Sequence, residues 1–70
     1  MAPHTSFWLN GSYYCVNQAV TLFQLIDYFN YDNSLLVVEY NNQICHKANW
    51  ETIEIQENDK LELVTIVGGG

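Results

Sequence analysis

Basic side chains are almost missing from this sequence: Lys47 and Lys60 face eight Asp and Glu residues, giving a formal net charge of −6. Phosphate contacts need clustered Lys and Arg, so the deficit disfavours any nucleic-acid partner. Long apolar runs are missing too. None approaches the roughly 20 residues that span a bilayer, and the first ten residues lack the basic-then-apolar pattern of a secretory signal. The expectation is a soluble intracellular protein with no membrane partner. Two cysteines, Cys15 and Cys45, are too few to staple a secreted mini-protein. They read as buried free thiols, with one disulfide between them as the alternative. No CxxC pair exists and His4 and His46 are isolated, so no metal site is expected. There is no GxxxxGK[ST] loop to hold ATP phosphates. No Ser or Cys nucleophile comes with a His and an acidic partner. Cys45 and His46 are neighbours, and neighbours in a strand point to opposite faces. The chain is therefore not expected to be an enzyme.

What is present suits one small domain. Seventy residues bury only about 60% of their unfolded surface, but apolar residues reach 49%, with two Trp, five Tyr and three Phe. That is enough for a compact globule and argues against disorder. The acidic balance suits docking to a basic patch on a protein partner. It equally serves to keep a small protein in solution, and charge alone does not separate the two.

Along the chain, Asn10-Gly11 sits between the runs Ser6-Phe7-Trp8-Leu9 and Ser12-Tyr13-Tyr14-Cys15-Val16. Asn-Gly between β-favouring runs predicts a hairpin with a type I′ turn, and alternation turns Phe7 and Leu9 inward and Trp8 outward. Leu22, Leu25, Ile26 and Phe29 then fall on one helical stripe. Thr21 and Gln24 form a T-x-x-Q capping box, with Val20 and Leu25 as its hydrophobic staple. The helix is expected from about Leu22 to Phe29, followed by a polar linker over 30–34. Leu35 to Tyr40 reads as a largely buried central strand, and Asn41-Asn42 as a turn into the short strand Gln43-Ile44-Cys45. His46 to Glu51 is expected to be irregular, with Trp50 plugging the core beneath it. Thr52 to Ile55 reads as another short extended piece and Glu57 to Lys60 as a turn. The alternation from Leu61 to Val67 fits a last strand with both faces partly covered.

A hairpin, a helix and about three more strands make an α+β domain. Four to five strands would form a mixed sheet packed on one helix. A right-handed crossover is expected to put the third strand parallel to the first, with the last strand beside the first in mid-sheet. This is the ubiquitin-like β-grasp topology. It would occupy residues 1–66, with 67–70 as a flexible C-terminal glycine tail.

That tail carries the chemistry. The chain has four glycines, Gly11 and then Gly68-Gly69-Gly70. At an average usage of about 7%, three in succession at a chosen position have a chance of roughly 3 in 10,000. A terminal carboxylate becomes a useful electrophile only as a mixed anhydride such as an acyl-adenylate, formed in another protein's active site. Residues without Cβ can thread a narrow channel to reach that site, and four residues extend about 13–14 Å at roughly 3.3–3.6 Å each. The plain alternative is a frayed terminus or cloning remnant. Remnants usually carry Ser or tag residues, and none stands here.

The Thr21-Leu22-x-x-Leu25-Ile26 helix start and the Asn41-Asn42-Gln43-Ile44 turn resemble those of the thiamine-biosynthesis sulfur carriers, the ThiS family. So do Trp50, the acidic turn Glu57-Asn58-Asp59 and the ending Ile66-Val67-Gly68-Gly69-Gly70. The resemblance covers nearly the whole chain. It implies that Gly70 is adenylated and then converted to a thiocarboxylate, with Gly68 and Gly69 as the threading tail. Its implied partners are a ubiquitin-activator-like adenylating enzyme, which uses ATP, a sulfur donor such as a cysteine desulfurase, and thiazole synthase. No cofactor would be bound by the carrier itself. The nearest alternatives share the fold: the molybdopterin synthase small subunit, and a tRNA-thiolation carrier or ubiquitin-like modifier. A binding module with an incidental tail is the alternative from another class. The expected location is cytoplasmic, or the plastid stroma if organelle-encoded. Finally, the aromatics Phe7, Trp8, Tyr13 and Tyr14 exceed what a small core needs. They point either to extra packing or to an exposed docking patch, for which Trp8 is the candidate residue.

Overall fold

The computed structural model describes residues 4–29 and 35–65. Strands β1 (Thr5–Leu9) and β2 (Ser12–Val16) precede helix α1 (Leu22–Tyr28), and β3 (Leu36–Tyr40), β4 (Gln43–Cys45) and β5 (Lys60–Thr65) follow it. The strands form one sheet in the order β2-β1-β5-β3-β4. β5 lies in the middle, parallel to β1 and antiparallel to β3. One mixed five-stranded sheet with one helix on a single face is the ubiquitin-like β-grasp arrangement expected from the sequence.

Both tight turns form where Asn makes them cheap. Asn10 and Gly11 have φ of 49° and 83°, and Asn41 and Asn42 have φ of 53° and 71°. Asn tolerates this left-handed region better than other side chains and Gly enters it freely, so two-residue primed turns close β1–β2 and β3–β4. The helix start also matches its capping box: the Gln24 N–H donates to Thr21 Oγ1, and Gln24 Oε1 accepts from the Thr21 N–H. Two further first-turn donors are met from outside the helix. Leu22 N–H donates to the Ile53 carbonyl and Phe23 N–H to that of Trp50, so the segment after β4 caps α1.

The core lies between α1 and the sheet. Leu22, Leu25 and Ile26 from the helix meet Phe7, Leu9, Val38, Leu61 and Leu63 from the strands, with Trp50 and Ile55 closing one end. Trp50 is 2% exposed, and its indole N–H donates to the Cys45 carbonyl at 3.2 Å. It is the plug that its position suggested. The stretch above it is a single 3-10 turn, Lys47–Asn49, rather than irregular coil.

Four expectations need correction. β3 is antiparallel to β5, hence antiparallel to β1 and parallel to β2. The crossover rule applies to the strand that feeds the helix, and that strand is β2, not β1. β3 lies inside the sheet, but Val38 alone is fully buried, while Leu35 precedes the strand and is exposed. No described element covers its outer face. Thr52 to Ile55 makes no strand, only one bridge from Glu54 to Thr21. The cysteines are free, as expected, but neither is fully buried: Cys15 is exposed and Cys45 half-buried. They lie on β2 and β4, the two opposite edges of the sheet, so no disulfide joins them within the chain.

Candidate functional site

Gly68, Gly69 and Gly70, the expected sulfur-carrying tail, lie outside the described residues, as do the polar linker 30–34 and Val67. What is described is the base from which that tail leaves. β5 is the strand clamped on both sides. Asn10 Oδ1 accepts from the Leu63 N–H at 2.7 Å, and the Asn10 N–H donates to the Leu61 carbonyl at 2.9 Å. From the other side, Asn41 Oδ1 accepts from the Lys60 N–H, and the Asn41 N–H donates to the Lys60 carbonyl, both at 2.8 Å. The two turn asparagines thus serve twice, setting a positive φ and tying their hairpins to β5. Sequence reading found them as turn formers only, because nothing local indicates which strand a side-chain amide will meet.

The β3–β4 turn lies beside the start of β5. The β1–β2 turn lies further along it, near Leu63, and β5 continues past it to Thr65 opposite Leu36. A second clamp sits at the entrance to the strand. The Asp59 carboxylate is 7% exposed and accepts from Tyr40 Oη at 2.5 Å, the Gln56 N–H at 2.6 Å and Asn41 Nδ2 at 3.0 Å. Burial and then this bond to Asp59 push the Tyr40 phenol well above the ordinary tyrosine range. Burial of a carboxyl group is tolerated when its oxygens are hydrogen-bonded, and both oxygens of Asp59 accept such bonds.

Trp8 points away from the helix, 42% exposed, and packs on Tyr13 with ring centroids 4.6 Å apart. The N-terminal aromatics are therefore divided between the two faces. Phe7 is buried and Tyr14 stacks on it at 5.9 Å while meeting Phe29 edge-on at 5.5 Å. Only Trp8 and Tyr13 belong to the open face, where exposed Val64 and Ile44 join them. An open groove of about 800 Å³ between β2 and α1, lined by Tyr14, Val16, Val20, Leu25 and Phe29, lies toward the other end of the hairpin from its turn. Cys45, half-buried on the helix side of β4 opposite Val38, has its thiol pKa raised by burial, which lowers its thiolate fraction and its reactivity. Among the described residues, no three His, Cys, Asp or Glu side chains group so as to hold a metal ion. No described helix is long and apolar enough to cross a membrane.

This arrangement of strands recurs in a solved structure, thiamine biosynthesis protein (ThiS) from Geobacter metallireducens. It superposes with a TM-score of 0.81 over 94% of this chain and all of that one, at 17% identity. At that identity the likeness speaks for the fold. In sequence, the protein named uncharacterized protein ycf40 from Trieres chinensis is 54% identical over 65 residues, 93% of this chain and 89% of that one. The sulfur carrier protein ThiS of Bacillus subtilis is 32% identical over 50 residues, 71% of this chain and 76% of that one. A thiazole synthase of Paramagnetospirillum magneticum is 29% identical over 62 residues, 89% of this chain but 19% of that much longer protein. The ThiS family model matches residues 7–70. With the β-grasp sheet, the Asn-Asn turn, the Trp50 plug and a match running to the last glycine, this chain belongs to the ThiS family.

Proposed function

We propose that the chain carries sulfur for thiazole formation in thiamine biosynthesis, bound as a thiocarboxylate on Gly70. Family membership across residues 7–70, a span that includes Gly68 to Gly70, is the observation that carries this reading. The name of the Bacillus subtilis relative, sulfur carrier protein ThiS, supports it. The likeness to a short segment of a thiazole synthase supports that enzyme as the acceptor of the sulfur.

In this reading a ubiquitin-activator-like adenylating enzyme uses ATP to convert the Gly70 carboxylate to an acyl-adenylate. Adenylation makes AMP the leaving group; the terminal sulfur of a donor persulfide, such as that on a cysteine desulfurase, displaces it, and a second thiol then cleaves the acyl disulfide, releasing the thiocarboxylate and forming a disulfide. Thiazole synthase takes the sulfur and the carboxylate is restored. The chain is a cosubstrate rather than an enzyme, binds no cofactor, and divides into a recognised body (1–66) and a threading tail (67–70). A β5 held by Asn10, Asn41 and the Asp59 cluster gives that tail a rigid base. The name ycf40 is one given to plastid reading frames, and its use for the relative that is 54% identical supports the plastid stroma over the cytoplasm.

Intact-mass measurement after incubation with ATP, a sulfur source and a matching adenylating enzyme tests the proposal. The expected result is a gain equal to one oxygen exchanged for sulfur, localised to Gly70 and lost when Gly70 is deleted. No gain, with the enzyme active on another carrier, overturns it in favour of a binding module.

A further inference from the structure

We infer that β2 is a self-association edge: two copies of this chain pair antiparallel along Ser12–Val16, with Tyr14 at the centre, and join their sheets into one. The inference is independent of the carrier reading and names a second copy of the chain as the partner.

Hydrogen bonding on β1 sets which groups of β2 are open. The Trp8 N–H donates to the Asp59 carbonyl and the Ser6 N–H to Glu57 Oε1, while the Ser6 carbonyl accepts from the Asn58 N–H. Trp8 and Ser6 thus turn their backbone away from β2. Their partners across the hairpin are Tyr13 and Cys15, and these two pairs are the non-hydrogen-bonded ones of the ladder. Tyr13 and Cys15 therefore turn their own N–H and C=O groups to the outer edge of the sheet, where no described residue meets them. Pairing centred on Tyr14 sets Tyr13 opposite the second copy's Cys15 on both sides of a two-fold axis. Each such pair exchanges both of its N–H to C=O bonds, so this register satisfies every open group at Tyr13 and Cys15.

Natural sheets blunt exposed edges with shortness, charge, proline or a bulge. The opposite edge, β4, is blunted by its length of three residues. β2 has five residues in unbroken register with β1, and none is charged or proline. That lack of charge selects the occupant. All eight acidic and both basic side chains fall between Asp27 and Glu62, so β1 and β2 carry none. Two chains of net charge −6 repel each other least where they meet through uncharged strands. The side chains agree. Tyr14 walls the groove beside α1 with Tyr28 and Phe29, and both tyrosines are exposed. Across the axis the two Tyr14 residues form a non-hydrogen-bonded pair, the closer kind, with Cα atoms about 4.5 Å apart. Each ring closes the outer side of the other's groove, and aromatic cross-strand pairs stabilise a sheet. One strand pair with its aromatic row is an interface under about 1,200 Å², the size of weak, reversible complexes. β1 separates this contact from β5, so the base of the tail stays open to other proteins.

The test is sedimentation equilibrium of the full chain under reducing conditions, at concentrations reaching the millimolar, with amide exchange followed residue by residue. Mass is expected to rise toward that of a dimer with concentration. The Tyr13 and Cys15 amides are expected to exchange about 10-fold or more slowly in the dimer, while Tyr14, already paired within the hairpin, changes little. Cys15→Pro removes an outward N–H and no bond within the hairpin, and is expected to stay monomeric with its urea midpoint little changed. Cys15→Lys charges the edge and is expected to do the same without a backbone change. Cys15→Ser keeps the N–H and is expected to dimerise as the wild type does. A wild-type chain that stays monomeric overturns the inference, as does a dimer that survives both Cys15→Pro and Cys15→Lys. Loss of the dimer in Cys15→Ser assigns it to the thiol and likewise overturns strand pairing. Protection of Tyr13 and Cys15 that appears only when the adenylating enzyme is added gives the edge to another protein's strand, and the second copy is then refuted.

Discussion

Tyr40 donates its hydroxyl hydrogen to the buried carboxylate of Asp59 at 2.5 Å, and this bond joins the end of β3 to the residue that precedes β5. The phenol is held in its protonated form by burial and by Asp59. A group whose neutral form is favoured by folding contributes fully below its unfolded pKa, about 10 for tyrosine, and loses that contribution as pH rises above it. Urea unfolding of wild type and Tyr40→Phe should differ by about 1–2 kcal/mol at pH 7. The difference should shrink progressively above pH of about 10, and a pH-independent difference would refute the account. Asp59→Ala leaves three donors unpaired and should cost about 3 kcal/mol or more.

Gly11 offers a test of backbone strain without crowding. A Cβ placed there meets nothing within 4 Å, yet φ is +83°. Gly11→Ala should therefore lower stability by about 1 kcal/mol through conformation alone. Gly11→Asn should cost less, because Asn enters the left-handed region more readily. Equal urea midpoints for all three proteins would contradict this.

Trp50 closes the core beneath the 3-10 turn. Trp50→Ala should cost about 3–5 kcal/mol, comparable to what a core of this size supplies, and the near-ultraviolet circular dichroism of a folded domain should be lost at 25 °C. Trp50→Phe keeps a ring but removes the indole hydrogen bond to Cys45, and should fold with stability reduced by about 1–3 kcal/mol. A fully stable Trp50→Ala protein would remove Trp50 from the core account.

Trp8 stands on the opposite face, supported by Tyr13. Trp8→Ala should weaken binding to the adenylating enzyme by about 10-fold or more, as expected of an exposed aromatic anchor, while the urea midpoint changes little. Reduced stability with unchanged binding would assign Trp8 to sheet packing.

The elements that were legible in the sequence are those whose signals are local. Asn10-Gly11 and Asn41-Asn42 dictate their turns through φ, Thr21 and Gln24 dictate the helix start through their own backbone, and Leu22, Leu25 and Ile26 share a stripe because a helix repeats every 3.6 residues. Phe7, Leu9 and Trp8 divide between faces because a strand repeats every two. The family also showed through short segments: the turn after β3, Trp50 and the terminal glycines. Cys15 and Cys45 are free as their number suggests, but their exposure is not legible locally, because burial depends on how completely a second layer covers that part of the sheet. The direction of β3 follows from β2, the strand that feeds the helix, and not from β1.

Local chemistry thus determined the elements, their inward and outward faces, and the tail on which the proposed sulfur chemistry depends. The tertiary structure alone decided what meets across sequence distance. It set β3 antiparallel to β5, carried Asn10 and Asn41 onto that strand, brought three donors to the oxygens of Asp59, and set Glu39 opposite Glu62. Those relationships depend on strand order and register, which are fixed by packing the whole core at once and so leave no local mark in the chain.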